Sequence, residues 1–207
     1  MVAHAKPSFV SRRDYLERER AADQKSEYHN GTIVAMAGVQ PEQNALVFDL
    51  TGILFPQLRS GKCQGFGSDQ RVRIDATNRD FYPDLTVVCG APEYEESLRL
   101  RALTNPTLII EVLSPSTERV DRVEKFDSYR KIATLTTYVL VAQDQPRIEC
   151  FTRLQDGSWR YEIAAGRHEV VRLDSIGCTL PLSEVYARLV FPDEEVGAQQ
   201  DRADGEG

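Results

Sequence analysis

One acid inside an apolar run, Leu108-Ile109-Ile110-Glu111-Val112-Leu113, limits what this chain can form more than any other feature. A short run rich in branched aliphatic side chains reads as a strand buried on both faces, in the interior of a sheet. Desolvating a lone carboxylate there is costly, so Glu111 needs a cation, a network of donors or a raised pKa. A nearby arginine, or a place on an exposed sheet edge, would satisfy it equally well. Either way the chain has to build a sheet around this strand.

Further elements supply that sheet. Residues 66–74, 82–88 and 107–113 are strand-like and are expected to be three strands of one sheet, and 137–141 adds another. Residues 147–153 and 159–163 flank Asp156-Gly157 and read as a hairpin, with 169–173 a further candidate strand. Asn30-Gly31, between 27–29 and 32–34, supplies the positive φ values of a type I′ turn. Helical spacing is seen in 13–22, with Tyr15 and Leu16 as inward anchors, and in 44–58, where Leu46, Val47, Leu50, Ile53, Leu54 and Leu58 would face a sheet. Gly61 ends that helix. Residues 117–132 form another helix, with Ser116 or Thr117 available as its cap. The charged stretch 90–105, with Pro92 and Pro106 at its borders, reads as a surface loop or short helix. The fold class is therefore α/β, a mixed sheet flanked by helices with an additional C-terminal β-hairpin region. A chain of 207 residues suits one domain, here 1–192, and the acidic residues 193–207 lack apolar periodicity and read as a disordered tail.

Composition excludes several roles. No stretch approaches about 18 apolar residues and residues 1–10 lack the apolar core of a leader, so a cytoplasmic protein with no membrane partner is expected. Cys63, Cys89, Cys150 and Cys178 form no C-x-x-C pair, and with His4, His29 and His168 as the only histidines a zinc site is not indicated; the cysteines read as thiols without a catalytic role. A net charge of −7 means that any contact with nucleic acid has to be local and salt-sensitive, through a patch such as Arg71, Arg73 and Arg119.

Asp84 follows Pro83 at the start of the run Leu85-Thr86-Val87-Val88. If that strand neighbours the one bearing Glu111, the two carboxylates converge, and such oxygen ligands suit Mg²⁺ or Mn²⁺. The ion would polarise a phosphoryl oxygen and activate water. Pro-Asp also opens many turns. Asp121, Lys125 and Tyr129 recur every four residues along one helix face, so Lys125 can point back at the carboxylates or form an exposed pair with Asp121.

Tyr82-Pro83-Asp84, then Glu111-Val112-Leu113-Ser114-Pro115-Ser116-Thr117, then Asp121, Lys125 and Tyr129 together resemble the Uma-type family of restriction-endonuclease-like proteins in the PD-(D/E)XK nuclease superfamily. The resemblance runs from about Tyr15 to Leu189 and includes Glu27-Tyr28-His29-Asn30-Gly31, Gly67-Ser68-Asp69 and Gly177-Cys178-Thr179-Leu180-Pro181-Leu182. It implies a restriction-endonuclease-like central mixed sheet, with metal held by Asp84, Glu111 and the backbone carbonyl of Val112. The superfamily's usual lysine position falls on Leu113, which is apolar, and Lys125 takes the place where related nucleases carry a glutamine on the following helix. Gln43 stands where many members have a histidine, so no proton-transfer role carries over to it. Glu27 matches the family's acid before the Asn-Gly turn and is either a further ligand or water-positioning group or an exposed hairpin carboxylate. Asp69 is a weaker candidate of that kind, and Tyr129 either supports Lys125 or fills the core.

The reading is an endonuclease hydrolysing phosphodiester bonds in DNA, with Asp84 and Glu111 on Mg²⁺ or Mn²⁺, Lys125 assisting, and a homodimer implied by the resemblance. The alternative is a catalytically inactive nucleic-acid-binding or regulatory module on the same fold.

Overall fold

A computed structural model describes residues 9–36, 38, 40–115 and 117–191; the tail expected over 193–207 lies outside the described residues. Helix α1 (Arg12–Ala21) starts where Ser11 Oγ accepts from the Asp14 amide, and it buries Tyr15 and Leu16 as expected. Strands β1 (Ser26–His29) and β2 (Thr32–Ala35) form the Asn-Gly hairpin, with φ +44° at Asn30 and +102° at Gly31. Helix α2 (Pro41–Leu58) opens on a proline, whose missing amide costs nothing at that position.

Two six-stranded sheets follow. The first runs β12-β11-β10-β9-β6-β3, built from β3 (Cys63–Gly67), β6 (Leu85–Cys89), β9 (Leu108–Val112), β10 (Thr137–Val141), β11 (Arg147–Arg153) and β12 (Trp159–Ala165). Its β9–β10 pair is parallel and its other pairs are antiparallel, so β9 is an interior strand. Alternation divides β9 between two cores. Leu108, Ile110 and Val112 pack with Leu46, Leu50, Leu54 and Leu58 of α2, while Ile109 and, beyond the strand end, Leu113 join the core of the opposite face. Glu111 shares that second face. On the α2 side lie also the two-stranded sheet of β13 (Val170–Leu173) and β14 (Cys178–Pro181) and the short helix α4 (Leu182–Val185). Gln57 of α2 exchanges two 2.9 Å hydrogen bonds with the backbone of Thr179 and fastens this layer.

The second sheet runs β2-β1-β5-β4-β8-β7, with β4 (Val72–Ile74), β5 (Arg79–Phe81), β7 (Tyr94–Ser97) and β8 (Leu100–Leu103). It places Val72, Ile74, Phe81 and Leu103 in the same core as Ile109 and Tyr138. Between β9 and β10 runs a wide π-wound segment, Val120–Lys125, which passes directly into α3 (Phe126–Tyr129).

Four expectations are corrected. Residues 66–74 are not one strand: a turn closed by the Gln70 amide on the Gly67 carbonyl sends the chain from β3 in the first sheet to β4 in the second. Residues 90–105 are not a loop or helix but the β7–β8 hairpin, turned by Leu98 and Arg99 at φ +51° and +64°. Cys63 and Cys89 oppose one another on β3 and β6 and are joined as a disulfide, while Cys150 and Cys178 are buried thiols. Arg71 and Arg73 are not a phosphate-facing patch. The central placement of β4 buries both, and with Arg12 they surround the wholly buried carboxylate of Asp80; Arg119 alone of the three is exposed.

Because Asp80 is the shared anion of three guanidinium groups, Asp80→Ala leaves buried positive charge uncompensated. The variant is expected to lose about 3–5 kcal/mol of stability in chemical denaturation, the scale for removing one partner of a buried ion pair. A loss under about 1 kcal/mol would show that water or Glu95 takes over.

Candidate metal centre

The antiparallel register of β6 and β9 fixes the two central acids. Leu85 pairs with Ile110, so Asp84, one residue before β6, stands opposite Glu111 on the same sheet face. Asp84 Oδ2 accepts a 2.7 Å hydrogen bond from the Val112 amide. The strand that buries Glu111 thus also orients its companion. Gln43, in the first turn of α2, donates from Nε2 to the Val112 carbonyl at 3.3 Å, and its side chain works to lower the Asp84 carboxyl.

The remaining groups come from three other places. The π-wound segment lays Asp121 and Lys125 on the sheet, and α3 adds Tyr129. Lys125 Nζ lies 3.0 Å from Asp121 Oδ1, 3.1 Å from Glu111 Oε1 and 3.4 Å from Glu27 Oε1. Tyr129 donates to Glu111 Oε1 at 2.9 Å. Glu27 reaches in from β1 of the second sheet, takes a 3.4 Å bond from the Tyr82 amide and faces His29 Nε2 at 3.1 Å. Tyr138 of β10 donates to the Asp121 carbonyl and ties the segment to the sheet.

Thus Asp84, Glu111, Lys125, Glu27, Asp121, Tyr129 and Gln43 converge. The alternatives of an exposed Asp121–Lys125 pair and an exposed Glu27 are both replaced by buried groups. Asp69 is not brought in. It sits in the exposed turn after β3, not in a strand, and pairs with Lys25 at 2.8 Å. His29 was missed, though a residue two positions from Glu27 in a strand shares its face. Glu149 of β11 was missed as well: like Glu111 it is an acid in an apolar run, and it is held by Arg122, Arg147 and Tyr161. Its pairing with Leu140, which also pairs with Glu111, puts it on the same sheet face. There it anchors Arg122, the neighbour of Asp121.

Charge accumulates unevenly here. Four carboxylates, Glu27, Asp84, Glu111 and Asp121, meet one ammonium, Lys125. Burial pushes the Glu111 carboxyl well above the usual range against the pull of Lys125, and the neighbouring acids push it further. Burial likewise raises Asp84, opposed by the Val112 amide and Lys125. Glu27 behaves oppositely: burial works to raise it, but Lys125, His29 and the Tyr82 amide together hold it below the ordinary value. Burial works to lower Lys125 and is overcome by Glu111, Glu27 and Asp121, so the amine stays charged well above its usual pKa.

A hard divalent cation suits this donor set. It takes carboxylate and carbonyl oxygens, commonly one or two carboxylates with water completing the shell, and would offset the excess negative charge. Asp84, Glu111 and the Val112 carbonyl offer such oxygens on one side of the cluster, and Asp84 is its least buried acid. Among the described residues no three acidic, histidine or cysteine side chains already stand in ligand geometry, so the cage is not preformed. The Gln43 amide, at 3.3 Å from the Val112 carbonyl, would have to yield.

Comparison with known proteins decides the relationship. A family described as "Uma2: Putative restriction endonuclease" matches residues 12–183. The chain belongs to the Uma2 family. Two relatives from Synechocystis sp. (strain ATCC 27184 / PCC 6803 / Kazusa) are similar to it: "Uncharacterized protein sll1609", 35% identical over 77% of this chain and 89% of its own length, and "Uncharacterized protein slr1290", 33% identical over 92% and 100%. Among solved structures, a "putative nuclease belonging to DUF820" from Anabaena variabilis ATCC 29413 shares the fold, with TM-score 0.65 and 18% identity over 84% of this chain and 96% of that one. The Uma2 match runs from the start of α1 into the first residues of α4 and therefore covers every residue of the acidic cluster. No described helix is long and apolar enough to cross a membrane.

Because burial raises the Glu111 and Asp84 carboxyls, a cation has to compete with protons for these oxygens. Affinity for Mn²⁺ is expected to rise with pH through the raised carboxyl range, and binding there should release protons. Calorimetry in buffers of different ionisation enthalpy reads this directly; a buffer-independent heat with pH-independent affinity would count against these two ligands.

Proposed function

We propose that this Uma2 protein is a metal-dependent nuclease that hydrolyses phosphodiester bonds in DNA, with Mg²⁺ or Mn²⁺ held by Asp84, Glu111 and the Val112 carbonyl. The observation that carries the reading is the convergence of Asp84 and Glu111 across the β6–β9 register with a charged lysine in contact with Glu111. When bound, the cation supplies Lewis-acid polarisation of a phosphoryl oxygen and a more acidic water.

The chain's own groups do the rest. Lys125, kept protonated by its carboxylates, supplies a fixed positive charge beside the place where negative charge grows on phosphate. Tyr129 and Asp121 hold it and Glu111 in position. Glu27, which stays ionised, is suited to orient water, with His29 against its second oxygen. Gln43 holds the Val112 carbonyl beside Asp84. A homodimer, giving one site per strand, completes this reading.

The binding-module reading has one observation in its favour. Lys125 Nζ is already enclosed by three carboxylates, so its charge is largely satisfied before any phosphate arrives.

Two experiments separate the readings. Asp84→Asn and Glu111→Gln should each weaken Mn²⁺ binding at least about 10-fold in calorimetry while the fold persists, on the scale of removing a group that fixes a metal site. Unchanged affinity in both would end the metal-centre reading. Lys125→Met should lower Mg²⁺-dependent cleavage of duplex DNA about 100-fold at saturating metal, the scale for loss of one transition-state donor. In metal-free buffer the same variant should melt lower than the wild type, since Lys125 is buried among acids, and Mn²⁺ should recover more stability in it than in the wild type. A wild-type rate in Lys125→Met removes the lysine from the mechanism; no cleavage by the unmutated protein on single- and double-stranded DNA, with metal still bound, favours the module.

A further inference from the structure

Among the described residues the outer face of α2 is met only by the Arg188 side chain over Phe48 and Asp49, and its composition is unusual for a solvated surface. Leu46, Leu50, Leu54 and Leu58 point inward, yet Phe48 and Phe55 on the opposite side remain 68% and 63% exposed. Thr51 and Gly52 lie between them, also exposed. At about 100° per residue, Asn44, Phe48, Thr51, Gly52, Phe55 and Arg59 fall within one strip of the helix surface.

We infer that this strip is a self-complementary interface through which two copies of the chain pair their α2 helices antiparallel about a two-fold axis near Thr51–Gly52. Phe48 and Phe55 are placed symmetrically about that point. A two-fold axis there sets Phe48 of each copy beside Phe55 of the other, the isologous relation a symmetric dimer requires. The polar ends also match, since the same operation places Asn44 near the partner's Arg59.

Gly52 supports the inference independently. A glycine in mid-helix is disfavoured, and here nothing in the chain's own packing asks for it: a Cβ built on it meets nothing within 4 Å. At the centre of a helix pair, however, a missing side chain lets two backbones approach closely. The area is adequate for a core. The four phenylalanines alone would remove on the order of 500 Å² from water, about a third of a standard interface, before Arg188 is counted. Arg188 lies over Phe48 and 3.5 Å from Asp49, a charged rim beside an aromatic centre, as stable interfaces commonly have.

The same geometry relates the two acidic clusters. Gln43 touches the cluster from the start of α2, so the two copies of Gln43 would stand about 25 Å apart along the paired helices. The inference itself does not depend on cleavage.

Analytical ultracentrifugation of the full chain should show a dimer at about 10 µM. Phe55→Glu, at an exposed position that leaves the core intact, should weaken dimerisation 100-fold or more, as loss of a twice-repeated central aromatic does. Gly52→Cys should cross-link to itself on mild oxidation, whereas Val170→Cys, an exposed position away from α2, should not. A wild-type monomer, or a dimer that Phe55→Glu leaves unchanged, overturns the inference. Mn²⁺ calorimetry on Phe55→Glu should be unaltered, so failure of the interface and failure of the metal centre are read separately.

Discussion

Lys125 is the only lysine or arginine among the described residues that contacts the buried carboxylates of Glu27, Glu111 and Asp121. Without it, β9 could not keep an acid in its interior, because the desolvation of Glu111 would drive the strand toward an edge or the acid toward permanent protonation. The ammonium also joins layers. It comes from the helical segment after β9, meets Glu111 on the first sheet and meets Glu27 on the second. One ion cluster therefore fixes the spacing of three elements, and the aromatic contacts of Phe81, Tyr129 and Tyr138 fill the space around it.

A second cluster balances the first in sign. Around Asp80, guanidinium groups outnumber the buried acid, and Glu95 at the rim reduces the excess. Around Lys125, carboxylates outnumber the ammonium. Around Asp80, Arg12 meets both carboxylate oxygens in a bidentate pair, as in a structural network. The Lys125 cluster keeps its surplus of acids, with Asp84 the least buried of them.

What was legible in the chain was local or periodic. Asn30-Gly31 specifies its turn by backbone sterics alone, and the alternation in β9 puts Glu111 on the face opposite α2. The convergence of Asp84 with Glu111 followed once their strands were neighbours. The failures share a cause. Whether Arg71 and Arg73 face solvent depends on which sheet β4 joins, and the turn after Gly67 decides this through pairing with strands far along the chain. Asp69 was misplaced for the same reason. The β7–β8 hairpin turns on Leu98 and Arg99, which carry none of the glycine or asparagine signal that such backbone angles usually require. The Cys63–Cys89 bridge needed the β3–β6 register before the two residues could be seen as opposed. Lys125 could be placed on a helix face from spacing, but its enclosure by three acids is a property of the packed sheets.

The cluster draws one side chain from β1, one from the approach to β6, one from β9 and two from the segment after it, so its members span nearly a hundred positions of sequence. Strand β10, which pairs with β9, and strand β11 beyond it are made after all of them. During synthesis, then, a chain already carrying Glu27, Asp84, Glu111 and Lys125 still lacks the sheet that brings them together. Such long-range closure is a late event in folding. The acids are brought together only when the whole molecule is in place, so an incomplete or misassembled chain lacks the cluster altogether.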